Sequence, residues 1–251
     1  MTTNPLCASW TWLAEVPYRD AWRAQRRLWR RVLEGREGAG TVLFLSHPPT
    51  FTTGKRDSAE FILYGDEELQ RRGFEKVATD RGGLVTYHGP GQLVGYPILN
   101  LEALGLDVAP FVRGLEDVMI RLCADFGQNA ARDAAHPGVW VGRDKIGAVG
   151  LRVARKVSMH GFAFNVAPNM DHYSLITACG ISGRGVTSLQ KLGVPATVEQ
   201  CAIGAARHMQ EVFGVSLARR DAAEIMPLMD LSGPVPDPDA LPEAQHGKEN
   251  P

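Results

Sequence analysis

The chain has 251 residues, 44% hydrophobic and 22% charged, with a formal net charge of -1. That balance supplies apolar material for a sizeable core and lacks the basic excess that phosphate-backbone binding leaves, which excludes nucleic acid as the main partner. No apolar run approaches the roughly 18 to 20 residues of a membrane span, and the first residues do not read as a signal peptide, so the expected setting is cytoplasmic with no membrane partner.

Residues 1–9 are expected to form a flexible N-terminal segment. Residues 17 to 34 predict an amphipathic helix, with Tyr18, Trp22, Trp29, Val32 and Leu33 near one face and Arg23, Arg26, Arg27, Arg30 and Arg31 on the other. The arginine face is expected to be solvated, with docking of an acidic partner as the sharper alternative. Gly35 to Gly40 breaks the helix, and Thr41 to Leu45 predicts a buried strand that ends at His47-Pro48-Pro49. Residues 81 to 96 are glycine-rich and include Arg81, His88 and Gln92, three side chains costly to bury without partners. Glycines let backbone amides approach a ligand, so this stretch suits a pocket wall better than a core.

A second helix is predicted over Val108 to Phe126, with Asp107 as N-cap, Pro110 in the first turn and Gly127 beyond its end. Its 3.6-residue apolar period absorbs Cys123. Short strands are predicted at Val139–Val141, Lys145–Val153 and Val157–Val166, the last two joined as a hairpin through Ala154–Lys156. A third helix opens on a Thr197/Gln200 capping box and stops at Gly214, with Cys201 on its apolar side. The proline-rich, polar residues 232–251 predict a disordered tail, which leaves 10–231 as the folded domain. Helices and strands mix without regular β-α-β alternation, so the fold class is α+β.

Cys179 differs from Cys123 and Cys201: it lies between a short apolar run and a glycine-rich turn, with no helical stripe to absorb it. A cysteine on such a loop meets the requirements of thiolate attack, with neighbouring N–H groups available to an oxyanion. The alternative is a small residue chosen for packing. A thiol with a free pKa of about 8.5 needs a base or cation beside it. His47, His88, His136 and His160 are candidates, and so is Lys145, whose place at the start of an apolar, glycine-containing strand would direct its ammonium into a pocket. Ordinary strand-end lysine is the competing interpretation. From the residues alone the chain is a cysteine enzyme with a glycine-lined pocket and an unnamed substrate.

Three blocks carry a resemblance. They are Arg81-Gly-Gly-Leu-Val-Thr-Tyr-His-Gly-Pro-Gly-Gln-Leu-Val-Gly-Tyr96; Gly138–Val141 with Lys145–Gly150 and His160–Val166; and Ala178–Ile181 with Val186–Leu189. In these the chain resembles the lipoyl(octanoyl) transferase family. The resemblance implies the catalytic domain shared with biotin and lipoate protein ligases, a mixed β-sheet flanked by helices with a smaller second sheet, here over 10–231. It implies a catalytic pair, Cys179 as acyl-accepting nucleophile and Lys145 as its activator. It implies substrate contacts at Arg81, Gly82, Gly83, Leu84, Val85, Thr86, Tyr87 and His88, at Ala148, Val149 and Gly150, and at Gly161, Phe162 and Ala163. A tunnel lined by residues such as Leu84, Val149, Phe162 and Phe164 would take the acyl chain. The implied donor is octanoyl-acyl carrier protein. The implied acceptors are lipoyl domains of 2-oxoacid dehydrogenase E2 subunits and the glycine cleavage H protein. No metal and no cofactor is implied, and a monomer is expected. Two alternatives remain: an ATP-dependent lipoate or biotin-type ligase, and a non-catalytic module that binds acyl or lipoyl proteins.

Overall fold

The structure, a computed structural model, describes residues 6–55, 59–177 and 184–239. In chain order the elements are β1 (Leu6–Glu15), α1 (Tyr18–Leu33), β2 (Gly40–Ser46), β3 (Thr50–Thr53), α2 (Asp66–Arg71), β4 (Glu75–Ala78), β5 (Thr86–His88), β6 (Gln92–Leu99), α3 (Val108–Asp125), β7 (Ala130–Arg132), β8 (Val139–Val141), β9 (Asp144–Ala154), β10 (Val157–Asn165), α4 (Val198–Phe213) and β11 (Val215–Arg219). Short 3-10 turns occupy Ala59–Phe61, Met170–Leu175, Ala222–Glu224 and Met226–Met229.

An eight-stranded mixed sheet runs β11-β1-β2-β6-β10-β9-β8-β7, and a three-stranded sheet runs β4-β3-β5. Alternation along the central strands sorts the large sheet into two cores. Val42, Phe44, Leu93, Phe162 and Phe164 face α3 and α4, together with Cys123 and Cys201. Leu43, Leu45, Val94, Tyr96 and Ile98 face α1, where Tyr18, Ala21, Ala24, Leu28, Trp29 and Val32 form the helical stripe. A third core under the small sheet gathers Phe51, Leu69, Phe74, Val85 and Tyr87. The Thr197/Gln200 capping box is complete, and α4 ends on Gly214 at φ 64°. Asp107 is at the N-cap of α3, although its side chain makes no capping hydrogen bond.

Three expectations need correction. Residues 6–9 are strand: β1 pairs in parallel with β11 from Leu6 and with β2 from Ser9, so the described part of the segment expected to be flexible is the first four of the ten residues of β1. The start of the expected tail is tied down, because Arg27 donates to the carbonyls of Leu228, Asp230, Ser232 and Gly233, and Asp239 pairs with Arg152. The arginine face of α1 is correspondingly not a solvated stripe. Arg23 holds Met229 O at 3.1 Å, Arg31 pairs with Glu37 at 2.6 Å, and Arg26 lies over the Trp22 ring, 3.5 Å from Asp80. These guanidiniums bind backbone and carboxylates of the same chain.

Candidate active site

A cavity of about 600 Å³ opens between the small sheet and the α1-facing side of the large one. Its first wall is the strip 81–88. Gly82 N donates to Leu151 O at 2.8 Å, and Lys55 N donates to Arg81 O at 3.0 Å, so the strip bridges β9 and the end of β3. It passes so close to Gly54 that a Cβ there would lie 2.1 Å from Gly83 O. Arg81 is buried and fastens the strip: its Nη2 donates to Thr52 O at 2.6 Å and to Thr52 Oγ1 at 2.9 Å, and its Nη1 donates to Gly82 O at 2.9 Å. Hydrogen bonds of this kind offset the cost of enclosing a cation.

The second wall is the antiparallel pair β9 and β10, which presents Ala148, Val149 and Gly150 beside Gly161, Phe162 and Ala163.

The floor arises from a break in the ladder between β6 and β10. Pro97 has no N–H to give a neighbouring strand. Ser158 Oγ bridges the gap, donating to Pro97 O at 2.7 Å and accepting from Leu99 N at 3.1 Å. Two residues on, His160 takes φ 55° and its N–H goes to Gln25 Oε1 of α1 at 2.7 Å. Its Nε2–H then donates to Asp80 Oδ1 at 2.6 Å, with Nδ1 3.4 Å from the Tyr18 hydroxyl. Burial works against a charged Asp80, but the His160 hydrogen bond and the Arg152 guanidinium hold its carboxyl well below the usual range.

Around this floor His47 and His88 are hydrogen-bonded as neutral rings. His47 donates from Nδ1 to Val16 O at 2.6 Å and accepts the Tyr96 hydroxyl at Nε2, 2.7 Å away; burial lowers its pKa to about 4 against the Val16 bond. Gln92 Nε2 serves Tyr87 O, Asn165 Oδ1 and Tyr173 OH, which fixes Gln92 Oε1 as the acceptor from His88 Nδ1–H at 2.8 Å. Burial, reinforced by His47, pushes the His88 pKa well below its ordinary value. His88 therefore enters the cavity as a neutral ring with an unprotonated Nε2, a hydrogen-bond acceptor and a weak base. Burial likewise lowers His160 and raises Tyr18 to about 12.

At the other end stands Lys145, half-buried, at the start of β9. Its backbone exchanges hydrogen bonds with Gly185 O (3.0 Å) and Thr187 N (2.9 Å), and its Nζ lies 4.8 Å from the centre of the Trp140 ring. Arg184 contacts the same ring at 4.8 Å and pairs with Asp133 at 2.6 Å. Ile176 and Arg184, on either side of residues 178–183, both line the cavity. Among the described residues no three His, Cys, Asp or Glu side chains form a metal-holding group.

The matching relatives agree with this architecture. The family model of the lipoyl protein ligase A/B catalytic domain matches residues 17–209. The octanoyltransferase of Caldicellulosiruptor bescii is 46% identical over 215 residues, covering 84% of this chain and 94% of that protein. The chain belongs to the lipoyl(octanoyl) transferase family. It is an acyltransferase. The octanoyltransferase of Gloeobacter violaceus is 43% identical over 200 residues, covering 80% of this chain and 87% of its own. Among solved structures, a bi-partite lipoate protein ligase from Thermoplasma acidophilum matches with a TM-score of 0.71 at 15% identity, over 89% of this chain and 90% of that one. A lipoate-protein ligase A bound with ATP gives a TM-score of 0.71 at 16% identity, over 88% and 92%. These likenesses establish the ligase-type α+β fold.

Within this transferase the structure brings most of the expected site residues together. Arg81 to Thr86, His88, Ala148 to Gly150, Gly161 to Ala163 and Lys145 all line the one cavity. Tyr87 does not: period two turns it into the small-sheet core, where its hydroxyl meets His172 Nδ1 at 2.8 Å. Phe164 also departs from the expected tunnel: unlike Phe162 it does not reach the cavity and packs wholly in the core under α3 and α4. Cys179 lies outside the described residues. Sequence reasoning missed Asp80, Asn165 and Tyr173 as site groups. A polar Asn165 closing an apolar strand was an available signal; nothing local marks Asp80 except its place before Arg81.

Proposed function

We propose that this transferase moves an octanoyl group from octanoyl-acyl carrier protein to the lysine of a lipoyl domain, in protein lipoylation, through a thioester on Cys179. The observation that carries the reading is the single cavity lined by Lys145, by the glycine strip and by both flanks of the segment holding Cys179. Its kinship with curated octanoyltransferases supports the choice of acyl group. Cys179 passes its proton to Lys145 and attacks the donor carbonyl. A new C–S bond forms, the bond to the carrier sulfur breaks, and the departing thiolate takes the proton from Lys145. The acceptor amine then attacks the Cys179 thioester, the amide forms, Cys179 leaves as thiolate, and the amine proton goes to Lys145. The first exchange converts one thioester into another, so ATP is not needed, and amide formation drives the second. Neutral His88 is suited to orienting the attacking amine by accepting one of its N–H hydrogen bonds, not to taking the proton. Burying seven or so carbons at about 0.8 kcal/mol each contributes roughly 4 to 6 kcal/mol to acyl binding.

Intact mass after incubation with octanoyl-carrier protein, without ATP, tests the reading. An octanoyl adduct is expected on the native chain and none on Cys179→Ala. An adduct that forms only with ATP would make the chain a ligase, and an adduct unchanged in Cys179→Ala would remove Cys179 from the mechanism.

A further inference from the structure

The placement of Lys145 begins on the far side of the sheet. Glu116 of α3 is 6% exposed, and its Oε1 accepts the Gly138 N–H at 2.9 Å. Its Oε2 accepts from Arg132 Nε at 3.0 Å, and Arg132 also donates to Arg113 O at 2.6 Å. Gly138 takes φ +120°, and a Cβ there would lie 3.3 Å from Lys145 Cε and 2.6 Å from Gly147 O. The backbone at 138 thus lies directly against the aliphatic stem of Lys145. Two residues later Trp140 pairs with Lys145 across a bulge in the β8–β9 ladder, which re-aims the strand there. The indole Nε1 donates to His136 O at 3.0 Å, so the 136–140 turn closes on itself with its ring beneath the ammonium. A lysine side chain has several freely rotating bonds whose freedom is lost on being fixed. The stem contact and the ring restrict that freedom here, and the buried Gly138 N–H that holds the stem contact has Glu116 as its acceptor.

We propose that Glu116 is a positioning residue for Lys145: it touches no substrate, and through Gly138 it sets where the ammonium stands. This rests on the reading of Lys145 as the group that handles the proton. The competing role for Glu116 is charge pairing with Arg132 alone, and substitutions separate the two. Glu116→Leu removes the acceptor and the charge. Glu116→Gln keeps an acceptor for Gly138 and loses the charge. Glu116→Asp keeps the charge but falls one methylene short of Gly138, and is the milder variant should Leu fail to fold.

The experiment is single-turnover octanoyl transfer from octanoyl-carrier protein to the full chain, with the melting temperature of each variant measured alongside. Glu116→Leu and Glu116→Asp are expected to slow the saturated rate about tenfold or more with little change in the half-saturating donor concentration, and Glu116→Gln to return it to within about twofold of native. In a Lys145→Ala background Glu116→Asp is expected to cost no further rate, since both changes act on one group. The proposal is overturned if Glu116→Gln is slow while Glu116→Asp is not, or if the Glu116→Asp and Lys145→Ala losses multiply. If Lys145→Ala alone acylates at the native rate, the reading of Lys145 falls first and this inference falls with it.

Discussion

His47 and His88 are buried, so their charged forms lose hydration that the Val16 and Gln92 hydrogen bonds replace only in part. For His47 the folded pKa is about 4 against an ordinary 6.5. The unfolded chain therefore binds this proton first as pH falls, and the native state's advantage is complete above 6.5 and lost progressively toward 4. A shift of that size corresponds to stability on the order of 3 kcal/mol over the window. The melting temperature should fall between pH 6.5 and 4, and His47→Gln should flatten that slope while lowering stability at pH 7. An unchanged slope in His47→Gln would assign the acid sensitivity elsewhere. At this scale the sequence was legible where one residue stands out against a pattern. Cys123 and Cys201 follow helical stripes and are core, and Lys145 heading an apolar strand does line the cavity. It was not legible where partners come from far along the chain: nothing local in His160 announces Asp80, and the burial that neutralises His88 is a property of the assembled floor.

The wall of the cavity is an element without regular secondary structure, and its position depends on how closely two backbones pass. Gly54→Ala would put a methyl 2.1 Å from Gly83 O, where backbone cannot yield as a side chain can. The strip must move away from β3, so octanoyl-transfer kcat/KM should fall by at least about tenfold while stability drops by about 1 to 3 kcal/mol. Steady-state kinetics and thermal melts check this, and native kinetics in Gly54→Ala would show the wall to be compliant. Elements with their own local grammar were readable in advance. The predicted α1, α3 and α4 lie within about two residues of their observed bounds, as expected for helices with strong periodicity and end signals. The strand β1 was missed. Its alternation around Trp10 and Trp12 is short, and its pairing partners are β2 and β11, the latter some two hundred residues away. The ladder break at Pro97 was equally invisible, because it depends on which strand lies opposite.

Over the whole molecule, α+β organisation followed from the lack of β-α-β alternation, and the two-sheet arrangement is the one the family resemblance implied. The role of the arginines on α1 did not follow, since charge on a helix face says nothing about which backbone will fold over it. Arg27 gathers four carbonyls between residues 228 and 233. Arg27→Met should release that segment, lowering stability by about 1 kcal/mol and hastening proteolytic cleavage between 230 and 239. Equal cleavage rates in variant and native chain would contradict this.

Asp239 meets Arg152, Arg152 meets Asp80, and Asp80 holds His160. The first of these carboxylates is bathed by bulk water, whereas the imidazole at the end of the series is 1% exposed. Dissolved ions that weaken the outermost pair thus act, three links inward, on a ring they never reach.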